Sequence, residues 1–220
     1  MFDKLRFDIL TKHWDTYMLG FENTVKVSLI ALVASLIVGT IIAVMRIAPF
    51  KPLNWLGTIY VEFIRNIPLL LIVLLFFLAS PTLGLPLDGF QSGTLALTVY
   101  TAAFIAEAIR AGIQAVPKGQ MEAARSSGLT YAQAMWFIIL PQAFKIVIPP
   151  IGNQLLNLVK NSSILGVVAG LDLMYYADII STQTFVTFSV YIFVAMFYLV
   201  LTLPLSFGVR YLEKRMAVKA

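Results

Sequence analysis

The 220-residue chain has no cysteine and a single histidine, His13. Without thiols there is no disulfide framework and no thiolate-held zinc or iron–sulfur centre. One imidazole argues against a histidine metal site or a histidine-dependent triad. Charge is scarce too. Asp, Glu, Lys and Arg make up 12% of the residues, against about 25% in a typical soluble domain. Hydrophobic residues reach 60%. Folded in water, such a chain would expose large apolar patches. A soluble enzyme, a disordered chain and a secreted disulfide scaffold are therefore excluded. The net charge of +5 fits the Lys/Arg bias of membrane proteins better than nucleic-acid binding. No G-x-x-x-x-G-K-[ST] occurs, so the chain has no P-loop for nucleotide phosphates.

What the chain does have is long apolar runs. Val27–Met45 is 19 residues without a charge, Ile179–Val209 is 31 and Gly89–Ala106 is 18. Two further stretches carry charges or prolines: Trp55–Ala79 holds Glu62 and Arg65, and Met135–Val159 holds Pro141, Lys145, Pro149 and Pro150. A membrane-crossing helix needs about 20 apolar residues. The sequence thus predicts an all-α bundle of five transmembrane helices at roughly 22–46, 54–79, 91–113, 137–158 and 185–210. Runs such as Pro68–Phe77 do not alternate, which argues against a β-barrel. The first run is too long for a signal-peptide core and is bracketed by Lys26, Arg46 and Lys51, like an anchor.

Connections 46–53 and 110–134 and the tail hold nine basic residues, against four in 1–22, 80–90 and 159–184. The count places the N-terminus outside and the C-terminus in the cytoplasm. Residues 1–21 then form an extracytoplasmic amphipathic segment, 22–212 the transmembrane domain, and 213–220 a cytoplasmic tail. Phe2, Leu5, Ile9, Leu10, His13, Trp14 and Tyr17 fall at helical spacing, so this stretch is expected to lie flat in the interface. Residues 164–180 fit either a re-entrant turn or a surface helix.

Glu62 and Arg65 stand three apart in the second span, and Glu107 and Arg110 three apart in the third. Each pair shares a helix face. Both lie near the same membrane side, so the pairs are able to meet. Charge at that depth costs a few kcal/mol or more. Two readings stay open: the wall of a pathway for a polar solute, or an ion-pair clasp that packs the bundle. Pro68, after Asn66, is expected to kink span two, and Pro149-Pro150 to kink span four.

The segment 117–141 joins spans three and four. Gln120–Ser127 has helix formers, Gly128 offers a left-handed stop and Thr130 an N-cap. Ala123, Ala124, Ser127 and Gly128 give a small-residue face that a second protein can approach. Glu122-Ala-Ala, three residues, Gly128, nine residues, Ile138, one residue and Leu140-Pro141 resembles the EAA loop of binding-protein-dependent ABC transporter permeases. Glu62-Phe-Ile-Arg-Asn-Ile-Pro-Leu-Leu, the run from Tyr100 to Gln120, and Pro149-Pro-Ile-Gly-Asn-Gln leading to Lys160-Asn-Ser-Ser are similar to the polar amino-acid branch. The chain departs from that branch at Asn66-Ile67, where Gly-Thr is common, and at Lys160–Ser163.

The resemblance implies a non-enzymatic permease subunit of an amino-acid importer in the bacterial inner membrane. Its implied partners are a second permease subunit, an extracytoplasmic amino-acid-binding protein, membrane lipid, and ATPase subunits that hold ATP and Mg²⁺; no cofactor sits on this chain. Gln120, Glu122, Ala123, Ala124, Ser127, Gly128, Leu140 and Pro141 would form the ATPase-docking coupling element. Pathway or gate candidates are Glu62, Arg65, Asn66, Pro68, Tyr100, Glu107, Arg110, Asn153 and Lys160. The rival class is an ATP-independent secondary carrier or channel. Its signs would be a repeat of spans or a mid-membrane acid without a basic neighbour, and neither is present.

Overall fold

The computed structural model describes residues 5–216 and contains helices but no strand among them. A short helix α1 (Phe7–Lys12) leads into α2 (Trp14–Ile47). At 34 residues, α2 is about 50 Å long and outreaches a hydrocarbon layer of about 30 Å. One side of α2 is small: Gly20, Thr24, Ser28, Ala31, Ser35 and Ala43 are buried. It packs on the equally small face of α5 (Gly89–Gln114), with Ala96, Ala102, Ala103 and Ala106. Small residues on both helices let the backbones approach closely, which is how helices associate in lipid. Leu29, Ile30, Val33, Ile37 and Ile41 cover the opposite, exposed side of α2.

The second apolar stretch is broken rather than kinked. α3 (Lys51–Arg65) ends before Asn66, and α4 (Leu69–Ala79) restarts after Pro68 at an angle of 103°. Pro68 has no N–H for the ladder, but its carbonyl accepts from Leu71 and Ile72 to open α4. Four helical segments are long and apolar enough to cross a membrane, and counting the bent pair as one span gives five.

α5 is the central post, in contact with α2, α3, α4 and α8. Asp88 and Gln91 start it with a reciprocal capping box. Beyond it lie α6 (Lys118–Ser126), α7 (Tyr131–Ala134) and one π-helical turn, Met135–Ile139. α8 (Leu140–Asn161) follows and runs as one helix through Pro149 and Pro150, where a kink is expected. Residues 162–184 form a 3₁₀ segment, Ser162–Val168, then α9 (Leu173–Thr184), whose Leu173, Ala177 and Ile180 are buried.

α10 (Thr187–Met216) closes the bundle and carries the helix past residue 213; residues 217–220 of the expected tail lie outside the described residues. Phe2 and Lys4 lie outside the described residues. Ile9 and Tyr17 are buried in a cluster with Leu173, Ile180, Val190 and Phe193 of α9 and α10. The first long helix therefore begins at Trp14, well before residue 22.

Candidate functional site

Two features gather where α2 and α5 end. The first is a charge cluster. Glu107, three turns before the start of α6, accepts from Nη1 of Arg46 on α2 and from Nη2 and Nε of Arg110, the latter at 3.2 Å. Arg65, the last residue of α3, comes within 3.9 Å of Oε2 and stacks over the Phe104 ring at 5.3 Å. Nη1 of Arg110 also donates to Gln114 at 2.6 Å. One carboxylate thus binds three arginines from three helices.

The expected Glu62–Arg65 pairing is not what forms. Glu62 makes no ion pair with a described residue, and Arg65 turns to Glu107 instead. Glu107 is half-buried and draws the basic groups around it, whereas Glu62 is exposed on the subunit. Asn66 caps the end of α3 by donating to the Glu62 carbonyl at 2.6 Å.

Arg46 is the residue that counting charges misplaces. Read as a flanking basic residue of the first span, it is 8% exposed and lies inside the bundle. Gly57 makes this possible, because a Cβ there would stand 2.8 Å from Arg46 Cγ. Asn54 donates to the Arg46 carbonyl and fixes the start of α3 against the end of α2. The available signal was a lone arginine followed eleven residues later by glycine, too little to find it.

The second feature is α6. Gly128 adopts φ +86°, a left-handed conformation that costs a Cβ-bearing residue about 1–2 kcal/mol. The amides of Gly128 and Leu129 return to the carbonyls of Arg125 and Ala124, at 3.1 and 3.2 Å, which ends the helix. Thr130 caps α7 in a capping box with Gln133. Gln120, Glu122, Ala123, Ser127 and Gly128 are exposed. Ala124 is buried, so it faces its own chain rather than completing an open small-residue surface. Gln142 of α8 donates to Gln120 at 3.3 Å, and Met121 packs near Val116, Ile139 and Ala143. α6 is thereby seated on the bundle with its outer side free.

A family model described as "Binding-protein-dependent transport system inner membrane component" matches residues 35–218. The chain belongs to this family of permeases. It is 71% identical over 208 residues to the probable glutamine ABC transporter permease protein GlnM of Bacillus subtilis, covering 94% of this chain and 96% of that protein. It is 37% identical to the glutamate transport system permease protein GluC of Corynebacterium glutamicum, covering 91% and 93%. A crystal structure of an amino acid ABC transporter with histidines superposes with a TM-score of 0.91 at 37% identity, covering 97% of this chain and all of that one. The chain is thus a permease subunit of an ABC importer. The ATP-independent carrier gains no support from these relatives.

The remaining candidates of this permease do not join the charge cluster. Tyr100 is half-buried on α5, with its ring 4.9 Å from that of Phe104. Asn153 is exposed midway along α8. Lys160, at the far end of α8, lines a cavity of about 290 Å³ with Ser163, Tyr191 and Tyr198. Leu140 and Pro141 line another of about 480 Å³, beside Trp136, Phe144 and Met216.

Proposed function

We propose that this permease forms half of the membrane pathway of a glutamine importer in the bacterial inner membrane. In this reading the N-terminus is outside and the C-terminus is in the cytoplasm. The observation that supports the reading is α6: a short helix seated at one end of the bundle, with Glu122, Ala123, Ser127 and Gly128 exposed on its outer face. Glu122, Ala123, Ser127 and Gly128 present that face to an ATPase subunit, while Gln120 and Ala124 tie it to the bundle. The ATPase holds ATP and Mg²⁺. A second permease subunit completes the pathway, and an extracytoplasmic binding protein delivers the amino acid. Glutamine as cargo is supported by the 71% identical relative.

Movement of α6 with the ATPase tilts the helices rigidly. The Arg46–Glu107–Arg110 cluster joins the ends of α2 and α5, and Asn54 ties α3 to the Arg46 carbonyl, so the three helices move as one block. Coupling of this kind is reciprocal, so solute delivery also favours closure of the ATPase. The test is uptake of labelled glutamine by vesicles holding the complete complex, with ATP and with a non-hydrolysable analogue. Import that continues unchanged without hydrolysis sinks the proposal.

A further inference from the structure

One face of α3 carries a polar ladder. Lys51, Asn54 and Thr58 line an open cavity of about 710 Å³ with Trp55 at the α2–α3 connection. Glu62 and Arg65, four and seven residues beyond Thr58, continue the same face up to the break before α4. Both side chains are exposed on the subunit. Their spacing favours a mutual ion pair, yet none forms within 4.0 Å. The Glu62 carboxylate takes no hydrogen bond from a described residue; only its main-chain carbonyl is bonded, to Asn66. Arg65 reaches Glu107 at 3.9 Å, beyond hydrogen-bond distance, because the Glu107 oxygens already accept from Arg46 and Arg110. Phe104 holds the guanidinium plane from one side at 5.3 Å.

Charges within a membrane span face a partner or a hydrated cavity. Here a carboxylate and a guanidinium fork stand about 5 Å apart in helix rise; neither is hydrogen-bonded to a described residue, Arg65 keeps a loose ion pair with Glu107 at 3.9 Å and Glu62 feels the charge of Arg110. An α-amino acid carries the complementary pair, an ammonium and a carboxylate on one carbon. We propose that Glu62 and Arg65 hold this zwitterion, with the ammonium on Glu62 and the carboxylate on the fork of Arg65, before the solute leaves through the cavity at Lys51–Thr58. The inference rests on the amino-acid permease reading above. Bidentate guanidinium–carboxylate pairing supplies direction, and stacking on Phe104 keeps the fork oriented. The site reads the part common to all amino acids and leaves the cargo's side chain unread.

The complex of permease and ATPase, purified without binding protein, is titrated calorimetrically with glutamine, its α-amide and its des-amino analogue. The α-amide lacks the carboxylate and the des-amino analogue lacks the ammonium. Wild type should bind glutamine at least about tenfold more tightly than either, the scale of one lost charged contact. Arg65→Gln should remove the preference over the α-amide, and Glu62→Gln the preference over the des-amino analogue. Arg65→Lys and Glu62→Asp should restore part of each. Co-elution with the ATPase reports folding separately, and the wild-type and conservative-variant titrations decide the matter where a charge-removing variant fails to assemble. Equal wild-type affinity for the three ligands, no wild-type binding, or unchanged preferences in the variants overturns the site. A wild-type complex that imports glutamine while failing these titrations loses the site and keeps the permease. Failure to import sinks the permease reading itself.

Discussion

Arg46 donates to Glu107 across 61 positions of sequence, with side chains only 6% and 22% exposed. The two partners are not equivalent. Glu107 also accepts from Arg110, so it stays neutralised when Arg46 is removed. Arg46 has no second carboxylate among the described residues.

Glu107→Gln should therefore destabilise the permease more than Arg46→Met. Breaking an enclosed pair from the side that strands a charge costs about 3–5 kcal/mol, whereas replacing the cation by an apolar side chain of similar length removes the charge that needed a partner. Thermal unfolding of the detergent-purified complex reads the order. The reverse order, or equal losses, would show that Glu107 is not the hub.

Gly128 separates local strain from docking. A Cβ there meets nothing within 4 Å, but φ is +86°. Gly128→Ala should cost about 1 kcal/mol and leave membrane insertion intact. Gly128→Leu carries the same backbone cost and adds bulk on the outer face of α6. If that face receives the ATPase, the leucine variant should insert normally yet lose glutamine-stimulated ATP hydrolysis, while the alanine variant keeps most of it. Equal stimulation in both would remove α6 from the coupling path.

The apolar runs and the loop around Gly128 were legible because helix length, capping and the glycine stop are local in sequence. The Thr130 cap belongs to the same class, and so does an interruption at Pro68, although a kink was expected where the helix breaks by 103°. Within the charge cluster, the Glu107–Arg110 pair and the meeting of the second and third spans were legible from spacing, but the part of Arg46 and the separation of Glu62 from Arg65 were not. A three-residue spacing put Glu62 with Arg65, but that spacing says nothing about burial, and burial of Glu107 drew Arg65 away. Arg46 looked like a flanking charge because its enclosure depends on Gly57 in another helix. Proline alone does not say how far a helix is disturbed: the 103° break falls at Pro68, whereas α8 stays one helix through Pro149 and Pro150. In the N-terminal stretch the burial of Ile9 and Tyr17 was not legible, because their partners, between Leu173 and Val194, lie more than 150 residues away.

Thr24 provides a test of the far end of the bundle. Its Oγ1 accepts from the buried Leu173 amide at 3.0 Å, while Asn23 donates to the Leu171 carbonyl at 2.9 Å. Leu171 sits at φ 59°, so these two bonds hold a strained turn against α2. Thr24→Val preserves shape but leaves the Leu173 N–H unsatisfied, a cost of about 1–3 kcal/mol. Thr24→Ser should lose far less. Amide hydrogen exchange at the start of α9 should accelerate in the valine variant alone; matched rates in the two variants would show that the bond carries no stability.

Asp172 gives the permease a pH dependence with a definite sign. It caps α9 by accepting from the amides of Met174 and Tyr175, each at 3.1 Å, and is fully buried. Burial pushes its carboxyl up from 3.8 to about 6, outweighing the two amide donors. Folding thus favours the protonated form. This contribution is complete below about pH 4, where the unfolded chain also holds its proton, and fades as pH rises through about 6. A rise of about two units corresponds to about 3 kcal/mol. Asp172→Asn cannot ionise and keeps one acceptor oxygen for the cap, so its stability should be flat across this window where wild type falls. Unfolding midpoints of the two proteins, measured in parallel from pH 4 to pH 7, make the comparison, and parallel slopes would show that Asp172 is not the titrating group.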